Sequence, residues 1–251
     1  MRLLFGIMKN PIPMLDVLSQ PAARRFERLI RHRRATPHFR DEPVPNEVLD
    51  AALSLAAEAP SGFNFQPWRF LVLRSAEQRE ALRGAAMGQE KIAEAPVVIV
   101  ALAEREKWKN NIDEILHTKA RHNGDSTDDI EVTRSKALAF INKQDPAVWL
   151  TRQTMIAFTY LMLAVESLGW DTAPMEGFDA AQVRAALELP DEVEVIALLA
   201  IGRATDASTF HPGRLSIDQI AYNDNYGNHW PRPTLPAGNP AHQPGDDSEQ
   251  D

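Results

Sequence analysis

The stretch Ala59-Pro60-Ser61-Gly62-Phe63-Asn64-Phe65-Gln66-Pro67-Trp68 sets three neutral polar side chains and a glycine between a helix-like run and a strand-like run. Pro60 ends the preceding helix and Gly62 lets the backbone approach a ligand. Ser61, Asn64 and Gln66 offer donors and acceptors suited to hydroxyl or heterocyclic groups. Nothing in the loop is charged, so its chemistry would be recognition by neutral hydrogen bonds. The plainer alternative is a helix-to-strand connection whose amides bond their own backbone.

Other chemistries are narrowed by what the chain does not contain. It has no cysteine, which excludes a disulfide framework, a thiolate nucleophile and a Cys-based metal or cluster site, so redox chemistry would have to come from a cofactor. It has no Gly-x-Ser-x-Gly elbow, no His-Glu-x-x-His and no convincing triad. There is also no Gly-x-Gly-x-x-Gly fingerprint, so a nicotinamide cofactor would lack a Rossmann site of its own. His117 and His122 lie in a polar region without a clear third ligand, and no metal site is expected from them.

Three further segments join the loop: Arg33-Arg34-Ala35-Thr36-Pro37-His38-Phe39, then Asp41-Glu42-Pro43-Val44-Pro45, and later Pro174-Met175-Glu176-Gly177-Phe178. In order and rough spacing, with Arg214 near the C-terminus, these resemble the nitroreductase family of FMN-dependent oxidoreductases over about residues 25 to 227. The family's pattern is a paired basic start, an Ala-Pro-Ser-x-x-Asn-x-Gln-Pro-Trp loop, a Pro-x-Glu-Gly turn and a late Arg. The resemblance implies an α+β chain with a nitroreductase-like three-layer α-β-α fold, a central mainly antiparallel sheet and a homodimeric state.

It also implies roles, residue by residue. Arg33, Arg34 and Arg214 match the family's phosphate-end cations, for which guanidinium forks are well suited. Ala35 stands where the family usually has Ser and Pro37 where it often has Lys or Arg, so one hydroxyl and one cation are missing; Ala35 would contribute backbone only, with Arg31 and His38 available to compensate. Ser61, Gly62, Asn64 and Gln66 would reach the flavin of the other subunit. Gln89 falls where the family often places a side chain on the flavin's pyrimidine edge, with a solvated turn residue as the alternative. Pro174, Glu176 and Gly177 form the turn whose N–H groups, at Glu176 and Gly177, would face the reactive centre of the ring, so that no titrating side chain is required. NAD(P)H would share the flavin site with the electron acceptor, a small organic molecule such as a nitroaromatic or a quinone. Two other readings stay open at this point: oxygen-dependent flavin cleavage or dehalogenation on the same fold, and an FMN-binding protein with no turnover. From another class comes a non-flavin interaction module using the arginine-rich face between Arg24 and Arg34.

The elements that must position these groups follow from periodicity. Phe26, Leu29 and Ile30 predict a helix over Ala22–Arg34 that places Arg33 on their face, one turn on. Asn46 is a plausible N-cap for a helix through Glu58. Arg69–Arg74, Val97–Ala101 and Val195–Ile201 predict short buried strands. The charged segment 104–146 predicts two helices around a mobile loop at His122–Ser126, forming a cover over the pocket. Trp149–Leu168 predicts a long helix apolar on more than one side, closed by Gly169, and Asp179 with Gln182 opens another with a capping-box-like start.

The 251 residues suffice for one substantial core, with residues 1–21 expected as an extension, 22–230 as the FMN-binding domain and 231–251 as a disordered, Pro-rich acidic tail. A formal charge of -8 disfavours a general nucleic-acid partner, and the run from Arg24 to Arg34 is expected to be a solvated helix face. The apolar start Met1–Met8 is too short for a signal segment and the densest apolar window carries Tyr160 and Glu166, so a cytoplasmic protein with no membrane span is expected.

Overall fold

The computed structural model describes residues 20–124, 126–206 and 213–231, with the side chain of Lys107 excepted. The expected N-terminal extension and C-terminal tail therefore lie almost wholly outside the described residues, as does Asp125 within the expected mobile loop. By internal contacts the described residues fall into two compact units, 20–206 and 213–231.

In the first unit, α1 (Pro21–His32) and α2 (Asn46–Ala57) lead through a short 3-10 turn (Gly62–Asn64) to β1 (Trp68–Leu73). Then come α3 (Ala76–Ala85), α4 (Glu90–Glu94), β2 (Val97–Glu104), a 3-10 turn (Lys107–Asn111), α5 (Ile112–Asn123) and α6 (Thr127–Ile141). The unit ends with α7 (Pro146–Ser167), β3 (Asp171–Met175), α8 (Ala180–Ala186) and β4 (Val193–Gly202). In the second unit, Ser216 and Gln219 close a capping box on the single-turn α9 (Ile217–Ile220), and Tyr222 bridges His229.

The four strands form one antiparallel sheet in the order β1-β2-β4-β3. Antiparallel sheets commonly wet one face. Here both faces are covered, and β2 explains why its sequence runs apolar without alternation. Val98, Val100 and Leu102 pack on one side with Leu82 of α3, Ile92 of α4 and Val183 of α8. Val97, Ile99 and Ala101 pack on the other with Leu49 and Ala52 of α2 and Phe158, Leu161 and Val165 of α7. The result is the expected α-β-α layering. A third cluster, built from Phe65, Trp108, Ile112, Leu116, Ile141 and Trp149, joins α5 and α6 to the start of α7. Between Ala101 and Leu102 the β2–β4 register shifts, and Ile196 of β4, the residue skipped, packs against that third cluster.

The helix signals mostly stand where the sequence put them, with differences at α1, α2 and α7. Helix α1 ends at His32, so Arg33 is its C-cap and not a helical residue, and Phe26 and Ile30 are exposed, not buried anchors. The N-cap of α2 is Pro45, and Asn46 is its first helical residue, its Oδ1 accepting from the Arg74 guanidinium instead of from the helix N–H groups. Asp145 caps α7, accepting from the Val148 N–H at 3.0 Å with Pro146 in the first turn, so the helix begins three residues before Trp149. At its other end Gly169 takes a left-handed φ of 81° and its N–H bonds the Glu166 carbonyl, as a glycine cap should. By length and composition α7 could cross a membrane despite Tyr160 and Glu166; in the fold it covers the sheet. Asp179 caps α8 as expected, accepting from the Ala181 and Gln182 N–H groups at 2.9 and 3.0 Å.

Gly202, the last residue of β4, leaves no room for a side chain: a Cβ there would stand 2.8 Å from ring carbons of both Phe39 and Pro96. Gly202→Ala is therefore expected to destabilise the fold by roughly 1–3 kcal/mol through overpacking, read as a lower urea midpoint at unchanged slope.

Candidate functional site

The segment after α1 is held to the sheet by backbone pairing. The Thr36 N–H donates to the Thr172 carbonyl at 2.9 Å and Ala35 forms a parallel bridge with Thr172, so Ala35 engages through its main chain. This fixes Arg33, the C-cap of α1, beside the end of β3. A cavity of about 390 Å³ is lined there by Arg33, by Pro174, Met175 and Glu176, by Met155, Phe158, Thr159 and Met162 of α7, and by Ala197 of β4. Arg33 and the Pro174–Glu176 segment, 141 positions apart in sequence (174 − 33), thus share one site.

Two features of this cavity await a partner. The Arg33 Nη1 is buried without a hydrogen-bond acceptor, a costly arrangement for a cationic donor unless an anion completes it. The N–H groups of Glu176, which lines the cavity, and of the neighbouring Gly177 lie past Met175, the last residue of the β3–β4 ladder, and make none of the turn or loop hydrogen bonds among the described residues. One cationic donor and two neutral main-chain donors suit a planar ligand with an anionic end, which is the chemistry of FMN. Pro174 differs from expectation in belonging to β3, opposite Leu199, so the turn proper is Glu176-Gly177. Gln89 is not a solvated residue: its Nε2 donates to the Gly177 carbonyl at 2.9 Å and to the Ala86 carbonyl at 3.1 Å, clasping that turn to the start of α4.

Arg34 does not line the cavity. Arg34 turns back on α1, its Nη1 donating to the Arg31 and Arg33 carbonyls at 2.6 and 2.7 Å, where a cation meets the negative end of the helix. Arg214 belongs to the second unit, where its Nη1 donates to the Gly213 carbonyl at 2.6 Å. His38 bonds Glu94, with Nδ1 3.1 Å from Oε1.

The loop of Ser61 to Gln66 is strained. Phe63, Asn64 and Gln66 have φ of 55°, 60° and 46°, a region that costs non-glycine residues on the order of 1–3 kcal/mol each and gathers at ligand sites. Ser61 Oγ accepts from the Gln66 N–H at 3.0 Å, and Gln66 Nε2 donates to Asn64 at 3.2 Å, so part of the loop's polarity does bond itself. The rest is external. The Gly62 N–H donates to Gln153 Oε1 of α7 at 2.8 Å, and a Cβ on Gly62 would stand 3.4 Å from Trp149 Nε1. Phe65 stacks on Trp108 at 5.5 Å, Trp108 lies 5.0 Å from Trp149, and Phe63 meets Phe140 edge-on at 5.9 Å. Aromatic packing thus ties the loop to α6, α7 and the turn before α5. On the loop's open side a second cavity, about 400 Å³, is lined by Asn64, Gln66, Trp68 and Arg69 and by Asn111, Glu114, Ile115 and Thr118.

The Ser61–Gln66 loop and the Arg33 cavity meet α7 on opposite flanks. Gln153 holds the loop and Met162 faces the Arg33 cavity; nine residues turn an α-helix through about 900°, or half a turn net. Within one chain the loop does not complete the Arg33 site.

Sequence reasoning passed over Gln153 and Glu166. Glu166, near the end of α7, accepts from both the Thr172 N–H at 3.0 Å and the Thr172 hydroxyl at 2.5 Å, on the same oxygen. Burial pushes its carboxyl up to about 7, and Asp171 adds to the rise, against the Thr172 bonds and the Arg33 charge. The signal available was that they are this largely apolar helix's one acid and one amide.

With the geometry in hand, comparison with known proteins places the chain. The model of the nitroreductase family matches residues 30–203, and the chain belongs to that family. An NADH dehydrogenase of Thermus thermophilus is 35% identical over 213 residues, covering 85% of this chain and 98% of the relative. A provisionally named NAD(P)H nitroreductase of Bacillus subtilis is 28% identical over 71% of this chain and 88% of its own length. A provisionally named nitroreductase of Exiguobacterium sibiricum, solved in complex with FMN, superposes with a TM-score of 0.69 at 26% identity, over 78% of this chain and 95% of that one.

Proposed function

We propose that the protein is an FMN-dependent oxidoreductase that takes electrons from NAD(P)H and passes them to a small organic acceptor such as a nitroaromatic or a quinone. The observation that carries this reading is the Arg33 cavity, where an orphaned buried guanidinium nitrogen and Glu176, at the start of the Glu176-Gly177 turn, meet one apolar-walled space. Family membership and the names of the relatives, NADH dehydrogenase and NAD(P)H nitroreductase, support it. FMN bound there would supply reversible two-electron chemistry, which the cysteine-free chain lacks. Arg33 would hold the anionic end, with Arg34 and Arg214 as the further cations the family pattern assigns, and Ala35 contributing main chain. Glu176 and Gly177 would donate to the ring, and Gln89, through its bond to the Gly177 carbonyl, would hold that turn in place. The absence of a dinucleotide fingerprint leaves NAD(P)H to use the same open site as the acceptor. The test is direct: purified protein should carry or take up FMN, and should oxidise NADH or NADPH in the presence of a quinone. A colourless protein that refuses added FMN ends the proposal.

We further infer that the working unit is a homodimer. The loop carrying Ser61, Gly62, Asn64 and Gln66 lies on the flank of α7 away from the same chain's Arg33 cavity, and a second copy could bring it there. Apolar side chains stand ready for that contact: Ile156 (37% exposed) and Tyr160 (43%) one turn apart on α7, and Phe26 and Ile30 one turn apart on α1, a helix with no buried residue. Ile156→Asp should yield a monomer by light scattering together with loss of bound flavin.

The segment 104–146 is proposed as the cover that sizes the acceptor pocket, because α5 supplies Glu114, Ile115 and Thr118 to the cavity beside Asn64 and Gln66. Deleting residues 123–128 should change the ratio of kcat/KM between small and bulky quinones while FMN content stays constant; loss of flavin would count against a lid.

A further inference from the structure

Glu166 is a half-buried acid close to the Arg33 site, and it reaches that site by two routes. Through bonds, its Oε1 takes both donors of Thr172, and Thr172 in turn pairs with Ala35 and accepts from the Thr36 N–H, so the carboxyl holds the strand end against which Arg33 is set. Through space, the Arg33 charge favours its carboxylate, against the larger upward push of burial. Arg33 spends no hydrogen bond on it, since no ion pair joins them and Nη1 stays unsatisfied. The second oxygen, Oε2, makes none of the described hydrogen bonds.

We propose that Glu166 is a positioning residue and internal counter-ion for Arg33, and that it takes up one proton when the phosphate end of the cofactor binds Arg33. The inference rests on the reading of the cavity as an FMN site. While the cavity holds no anion, a Glu166 carboxylate offsets Arg33. A phosphate monoester arriving on Arg33 places two further negative charges nearby, and the cheapest relief is transfer of a proton from solvent to Oε2, giving a neutral acid that keeps both Thr172 bonds on Oε1. The charged groups that act on Glu166 are Arg33 from the end of α1, which favours the carboxylate, and Asp171 from the start of β3, which opposes it. Because the carboxyl sits near 7 already, the uptake falls in a measurable range.

The sign follows from linkage. A binding step that consumes a proton weakens as pH rises, by up to about tenfold per pH unit for one full proton. The second ionisation of a phosphate monoester, near pH ~6, works in the opposite direction and is complete above about 7, so the window is roughly pH 7 to 8.5. The same raised carboxyl gives the cofactor-free protein stability that is complete below the ordinary glutamate range and lost as pH rises through about 7.

The experiment is FMN titration of the cofactor-free protein by flavin fluorescence at several pH values, with calorimetry in two buffers of different ionisation enthalpy to count protons. Riboflavin serves as the probe without phosphate, and Glu166→Gln as an isostere whose Oε1 can keep both Thr172 bonds. In the wild type, FMN affinity should fall about tenfold between roughly pH 7 and 8.5, with net proton uptake at pH 7.5. Riboflavin should show neither effect. Glu166→Gln should bind FMN with less than about a twofold change over the same range and no proton uptake, and should melt no lower than the wild type at pH 8. Proton uptake that persists in Glu166→Gln, or that riboflavin shares, overturns the inference while leaving the cofactor reading intact. Wild-type protein that binds FMN without proton uptake also overturns it, whether or not the variant folds. Failure to bind FMN at any pH overturns both.

Discussion

The packing of α7 across the sheet is the constraint on which the rest depends. Phe158, Leu161, Ala164 and Val165 lock one face of this 22-residue helix onto Ile99, Ala197, Leu199 and Ile201. That contact leaves two flanks at fixed heights and angles. One presents Met155, Thr159 and Met162 to the Arg33 cavity; the other presents Trp149 and Gln153 to the Ser61–Gln66 loop. A rigid helix with a buried face can hold two half-sites in a fixed relation without their touching, which a loop scaffold could not. The exposed Ile156 and Tyr160 sit between those flanks, on the only side the sheet does not cover, so dimerisation through this helix would add the second chain's loop without disturbing the first chain's core.

Holding a strained loop takes more than its own sequence. Three left-handed residues among Phe63, Asn64 and Gln66 would relax if the segment were free. The opposing terms are visible: the Gly62 N–H on Gln153, the Ser61 hydroxyl on the Gln66 N–H, and the aromatic contacts from Phe63 and Phe65 to Phe140, Trp108 and Trp149. Because Trp108 is buried and belongs to the segment leading into α5, the proposed cover and the proposed cofactor loop share one hydrophobic cluster. Through that shared cluster α5 and α6 are packed against the loop and are not an appendage to it.

How much of this was legible in the sequence depends on the range of the interaction concerned. Strands β1, β2 and β4 were readable because Phe70–Leu73, Val97–Leu102 and Val195–Ile201 are apolar runs that only a sheet covered on both sides can bury. Strand β3 was not: Asp171-Thr172-Ala173-Pro174-Met175 has weak β character and a proline, which an edge strand tolerates because its outer side carries only the single Ala35–Thr172 bridge and leaves Pro174 without a partner strand there. Local capping was visible at Asp179 and Gly169, while Asn46 was diverted by Arg74, 28 residues away, which no local pattern shows. The candidate site followed the same division. Family resemblance pointed to Arg33, the loop and the Glu176-Gly177 turn, but the contacts that hold them, Gln89 to Gly177, Gln153 to Gly62 and Glu166 to Thr172, join the site's parts through the fold, and two of the three come from α7.

The distribution of charge around the Arg33 cavity follows a single logic. A cation kept unsatisfied in a partly apolar space costs free energy, and a permanently ionised partner bonded to it would remove that cost but also remove its appetite for a ligand. Glu166 is an intermediate solution. Its hydrogen bonds go to Thr172, so it compensates Arg33 by charge and leaves the guanidinium donors unused. Burial disfavours its carboxylate enough that the compensation is easily withdrawn. At the other end the proposed donors, the main chain of Glu176 and Gly177 with Gln89 clasping their turn, would hold their dipoles fixed whatever the pH. Proton-linked compensation at Arg33 and fixed neutral dipoles at the turn would separate the energetics of holding a charged nucleotide from those of the electron transfer it would perform.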